Sequence, residues 1–197
     1  MKILILSSHV DDAEICMGGT IAKLAKDNEV KVVFFSDCDI YHVRGEVSRS
    51  MKALGVDKWY LLSYPRRTMD DRRHEIRNLM FEDNVKGYDR VYCPHPNDHH
   101  QDHKLIAELA RNVFGNDCDL IYYIWAKNNN DYRPTLFEEL SEEQLNDKLA
   151  ALNCYKSQKK ARAKYFNDEA FSAMATFYGM MAGCRYAEPF EPYRIKI

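Results

Sequence analysis

The stretch KILILSSHVDD, residues 2–12, sets an uninterrupted apolar run directly before a cluster of polar, metal-compatible side chains. Residues 2–6 show no alternation, as expected for a strand covered on both faces. Working outward, EVKVVFFS at 29–36 and residues 59–62, 89–93 and 119–125 read as further strands. Residues 20–26, 44–54, 72–82 and 103–113 read as the helices between them, the second ending at Gly55, a residue suited to a helix C-terminus. Strands and helices alternating at this rhythm imply right-handed crossovers and a sheet covered by helices on both faces. The expected fold class is therefore α/β and Rossmann-like, a mostly parallel sheet in a single domain. Beyond Trp125 the rhythm changes to an Asn-rich loop, helical patterns at 142–158 and 169–181, and an extended tail from 186. Residues 1–125 are expected to form the α/β core, and 126–197 a C-terminal extension of the same domain.

The chain has 197 residues, 46% of them apolar and 29% charged, with a formal net charge of -2. This balance suits an ordinary globular protein and gives no general attraction to nucleic acid or anionic membrane. The opening apolar run is too short for a membrane span or a signal-peptide core. Cysteines stand at 16, 38, 93, 118, 154 and 184 with no CxxC pair, so they read as buried apolar residues in a reducing, cytoplasmic setting. The pair Gly18-Gly19 lacks the GxGxxG pattern of dinucleotide sites and reads instead as a point of tight turn and close helix packing.

Chemistry concentrates in two places. His9, Asp11 and Asp12 follow the first strand, and HPNDHHQDH at 95–103 follows the fourth. Ligands of parallel α/β sheets bind beyond the carboxyl ends of the strands, so the two clusters meet if the strands are neighbours. Catalytic zinc takes three protein ligands and leaves one position open. His9, Asp12 and His103 can supply that set, leaving Asp11 as a spare base. A bound metal lowers the pKa of water to roughly 7 and yields a nucleophile at neutral pH. His100 and His103 share a helix face, and Asp102 can fix an imidazole tautomer. Taken singly, His9 reads as a strand-end residue, Asp11-Asp12 as a helix N-cap pair and 95–103 as a polar loop; the pairing of the two clusters after two strands favours a metal site. Loops around Tyr41, His42, Tyr64, Arg66, Arg67, Asn128 to Asn130 and Tyr132 are candidates for a substrate rim, with Arg66-Arg67 itself reading as a solvated pair.

In these motifs the chain resembles the PIG-L / LmbE-like N-acetylglucosamine deacetylases. SHVDDAEICMGG at 8–19 is similar to the family's AHPDDxExxxGG, and DHHQDH at 98–103 to its DxHxDH. Weaker similarity runs through 44–56, 134–137, 155–158 and 186–190. The chain departs from the pattern at Val10, where the family has proline, and at His99, where some relatives have arginine. The resemblance implies a zinc site, or a ferrous iron site, held by His9, Asp12 and His103. It implies Asp11 as general base, His100 as oxyanion stabiliser or proton donor oriented by Asp102, and Arg44 as a substrate contact. It further implies hydrolysis of the N-acetyl group of a small soluble N-acetylglucosamine-type conjugate, and assembly as a trimer or hexamer. Two alternatives stand beside it: a metal-dependent hydrolase of another amide or a phosphoester, and a non-catalytic sugar- or nucleotide-binding module.

Overall fold

Residues 1–36, 41–84, 87–129 and 131–196 are described by the computed structural model, the side chains of residues 41, 42 and 84 excepted. Cys38, Asn130 and the side chains of Tyr41 and His42, all considered above, lie outside the described residues.

Seven strands form one sheet among the described residues: β1 (Lys2–Ser7), β2 (Glu29–Ser36), β3 (Lys58–Tyr64), β4 (Arg90–Pro94), β5 (Asp119–Tyr123), β6 (Leu136–Glu139) and β7 (Ala187–Arg194), in the order β3-β2-β1-β4-β5-β7-β6. The first five are mutually parallel. The tail expected as extended chain is β7, inserted antiparallel between β5 and the short strand β6, which the sequence reading did not anticipate. The helices are α1 (Asp12–Ala25), α2 (Tyr41–Ala53), α3 (Arg73–Asn84), α4 (Gln101–Phe114), α5 (Glu142–Asn153), α6 (Lys156–Ala161) and α7 (Asp168–Ala182). None is long and apolar enough to cross a membrane.

The lack of alternation in the strands has its cause in two cores. Ile3, Ile5, Val32 and Phe34 face one layer, which takes side chains from α1, α2 and α5. Leu4, Leu6, Val33 and Phe35 face the other, built on α3 and α4. Successive strand residues point to opposite faces, and here both are apolar.

Two expectations need correction. The helix read at 20–26 begins at Asp12 and runs through the glycine pair, with a kink at Met17 (φ -144°, ψ 27°). The freed N–H groups of Gly19 and Thr20 donate to the buried Glu188 carboxylate at 3.1 and 2.7 Å, so a distant side chain caps the restarted helix. The helical pattern at 142–158 is split into α5 and α6 at Cys154-Tyr155.

β1 and β4 are neighbours, with Ile5 opposite Tyr92. From β1 the chain proceeds outward through β2 and β3; from β4 it proceeds to β5 on the other side. The strand order therefore reverses between β1 and β4, which opens a crevice at their carboxyl ends. Both polar clusters lie there.

Candidate metal centre

His9 leaves β1 in a turn that starts α1, and His103 sits in the first turn of α4, whose N-cap is His100. A short polar turn between Pro94 and α4 and the tight exit from β1 bring the side chains together. Asp12 Oδ2 lies 3.0 Å from His9 Nδ1 and 3.0 Å from His103 Nε2, and those two nitrogens are 3.3 Å apart. Donors bound to zinc at ~2.0–2.2 Å in a tetrahedron stand about 3.4 Å from one another. A slight spreading of this trio therefore fits a divalent cation, and two imidazoles with one carboxylate are the right donors for it.

Each imidazole is backed by a second carboxylate. His9 Nε2 is 2.9 Å from Asp102 Oδ2, and His103 Nδ1 is 2.8 Å from Asp98 Oδ2. This outer layer fixes ring orientation and presents the inner nitrogen to a metal. The imidazoles of His9, His100 and His103 also form a group, with one ligand atom from each within 4.8 Å of the others, that could hold a metal. His100 has no carboxylate at hydrogen-bond distance among the described residues: its Nδ1 accepts the Asp102 N–H at 3.2 Å. Asp12 makes the tighter set.

The electrostatics follow from burial and pairing. Burial lowers the pKa of His9, but the Asp12 charge and the bonds to Asp102 and Asp12 outweigh it and raise it to about 9. The same opposition raises His103 to about 10. Burial pushes Asp12 upward, yet the two histidines hold it well below the usual carboxylate range. His100 goes the other way, down to about 4, through burial and the nearby positive charges of His9 and His103.

Asp11 stands beside the trio without joining it. It is 1% exposed, and its backbone is left-handed (φ 79°), a conformation aspartate tolerates better than most residues. Burial and the Asp12 charge raise its pKa well above the ordinary value, against the opposing charge of Arg162. Arg162, just past α6, donates from Nη1 to Asp11 Oδ2 at 3.0 Å.

The structure thus brings His9, Asp11, Asp12, His100, Asp102 and His103 to one crevice. It departs from the expectation for Asp102, whose carboxylate takes His9 and the Arg67 N–H at 2.9 Å; its closest approach to His100 Nδ1 is 3.9 Å. The reason is local: capping α4 with the His100 ring turns Nδ1 to the backbone of Asp102 and leaves the carboxylate to His9. Arg44 is not among the residues gathered here. It is exposed and stacks over Trp59 of the edge strand, 5.5 Å from the ring centroid. Three contributors escaped the sequence reading: Asp98, Arg162 and the Arg67 N–H. Asp98 carried a signal, five positions before His103 in a quoted motif; the other two carried none.

The family model of the GlcNAc-PI de-N-acetylases (PIG-L) matches residues 4–114. The uncharacterized deacetylase YaiS of Escherichia coli K12 is 30% identical over 171 residues, 79% of this chain and 90% of its own length. The diacetylchitobiose deacetylase of Thermococcus kodakarensis is 26% identical over 95% of this chain and 81% of its own. The structure of the N,N'-diacetylchitobiose deacetylase of Pyrococcus horikoshii superimposes with a TM-score of 0.71 at 23% identity, over 97% of this chain and 83% of that one.

Proposed function

Because the chain belongs to the PIG-L family, we propose that it is a metal-dependent hydrolase, with zinc as the cation, that removes the N-acetyl group from an N-acetylglucosamine-type conjugate. The observation that carries this reading is the convergence of His9, Asp12 and His103, with a further buried carboxylate, Asp11, adjacent and outside the ligand set. A structural metal site needs no such spare acid. Asp11 is engaged by Arg162 instead of closing a fourth ligand position.

His9 Nδ1, Asp12 Oδ2 and His103 Nε2 would hold the cation, with Asp102 and Asp98 orienting the rings. When bound there, a divalent cation acidifies water and polarises the acetyl carbonyl. The chain's own residues do the rest. Asp11, its proton affinity raised by burial and by Asp12, takes a proton from the attacking water. It returns that proton to the sugar nitrogen as the C–N bond breaks, giving acetate and free amine. A base of raised pKa suits both halves of this transfer. Burial lowers the pKa of His100, which favours the neutral ring at pH 7. Since its Nδ1 accepts the Asp102 N–H, the ring proton is on Nε2, where it donates to the oxyanion of the tetrahedral intermediate. Burial holds the proton affinity of His100 down, which favours hydrogen bonding of the oxyanion over protonation of the amine.

The test is release of free amine from a panel of N-acetylated sugar conjugates, with zinc and with anaerobic ferrous iron. The variant Asp11→Asn is expected to keep its metal, read by elemental analysis, and to lose about 10²–10⁴ in kcat. Wild-type turnover in Asp11→Asn, or no amine released from any conjugate with either metal, would discard the proposal.

A further inference from the structure

Two non-glycine residues among those described have positive φ, Asp11 at 79° and Arg67 at 65°. Both stand at the same crevice. A residue with a Cβ is disfavoured in left-handed backbone, glycine is not, and arginine lacks the short polar side chain that lets aspartate settle there. Such an outlier persists where the surroundings hold it for a purpose. At Arg67 the visible purpose is the N–H donated to Asp102 at 2.9 Å. Glycine would supply that N–H without strain. What arginine adds is its side chain.

That side chain is exposed and engages no hydrogen-bond or ion-pair partner among the described residues. Its backbone N–H bonds the carboxylate that orients His9, so a single side chain separates the Arg67 backbone from the ring of His9. Two further cations stand at loops bordering the same crevice. Arg162 lies on Asp11, and Lys127 packs over the ring of Tyr165, whose N–H donates to the Arg162 carbonyl at 3.1 Å. A guanidinium is a planar fork matched to two oxygens of one anion.

We infer that Arg67 binds an anionic substituent, a carboxylate or a phosphate, carried by the sugar conjugate beyond its N-acetyl group. This deepens the deacetylase reading and rests on it. The experiment compares three conjugates on the metal-loaded enzyme: N-acetylglucosamine 1-phosphate, the carboxymethyl glycoside and the neutral methyl glycoside. The wild type is expected to favour at least one anionic conjugate over the neutral one by at least about tenfold in kcat/KM, expressed in KM, as a charge-assisted pair implies. Which of the two it favours identifies the anion. In Arg67→Gly that ratio falls about tenfold while Tm stays equal or rises, because glycine relieves the backbone. A merely structural arginine would lower both rates together and leave the ratio unmoved, which overturns the inference; so does a wild type that treats all three alike. Calorimetric binding of the same conjugates separates this from failure of the deacetylase reading. If none is turned over but an anionic conjugate binds more tightly to wild type than to Arg67→Gly, the anion site stands and the reaction is wrong. Equal binding to both proteins removes the anion site.

Discussion

Arg162 reaches Asp11 from 151 positions further along the chain, and the pair shapes what the proposed base can do. Burial and Asp12 drive the Asp11 pKa up; the guanidinium pulls it back. Asp11 must be ionised to accept a proton from water, so activity rises with pH as Asp11 deprotonates, and Arg162 moves that acid limb toward lower pH. Replacing it by a neutral side chain removes the opposing charge and leaves Asp11 harder to ionise. The expected outcome for Arg162→Met is an acid limb of kcat/KM displaced to higher pH, with reduced turnover at neutral pH that recovers as pH is raised. A limb in the wild-type place would mean that Arg162 does not tune the base. Asp102 teaches a related lesson. The motif announces a carboxylate that serves an imidazole, and only the ring geometry at the α4 N-cap decides that the imidazole is His9.

At the scale of elements, α1 carries both Asp12 and the glycine pair, which follows the kink at Met17 and lets Lys148 and Leu140 pack close. A Cβ on Gly19 would lie 2.5 Å from Leu140 Cδ1, and one on Gly18 2.9 Å from Lys148 Cγ. Lys148 in turn is buried against Glu188 at 2.6 Å, the carboxylate that caps the second half of the helix. Gly19→Ala is therefore expected to overpack this junction and cost about 1–3 kcal/mol, a drop of roughly 2–4 °C in Tm per kcal/mol at this chain length. An unchanged Tm would show that Leu140 yields freely. The strands of the core and the two polar clusters were legible because their signals are local: an apolar run is a buried strand, and each cluster is a short run of histidine and aspartate directly after one. The early start of α1 was not, because its first turn reads as polar loop and its N-cap, Asp11, makes no side-chain capping bond; the restart after Met17 is capped by Glu188, 169 positions away from Gly19. β6 was missed for a similar reason. Four residues with two glutamates have no strand pattern of their own and become a strand only by pairing with β7. Arg44 lies over Trp59, outside the gathered cluster: a loose motif match fixes a residue in sequence without fixing which way its helix turns it.

For the molecule as a whole, the crevice is where the sheet changes direction, and the His9–Asp12–His103 trio joins the loop after β1 to the helix after β4. A cation there would tie the two halves of the parallel sheet together. In protein stripped of metal by a chelator, protons on His9 and His103 do that work through Asp12, Asp102 and Asp98. Their pKa values of about 9 and about 10 exceed the ordinary 6.5, so the stability they contribute is fully present below pH 6.5 and is lost as pH rises through 9 to 10. Metal binding requires both rings to give up those protons, so a bound cation replaces the contribution that alkaline pH removes. Asp12, held low by the same histidines, keeps its contribution until pH falls below the usual carboxylate range. Calorimetric scans between pH 6 and 10 should therefore show Tm of the stripped protein falling with pH beyond that of the metal-loaded protein. With metal at about a thousand times its Kd, the added stability is about 4 kcal/mol, and the gap between the two curves should widen toward pH 10. Parallel curves over that range would mean that the two imidazoles do not exchange protons for the cation, and the ligand assignment would have to be abandoned.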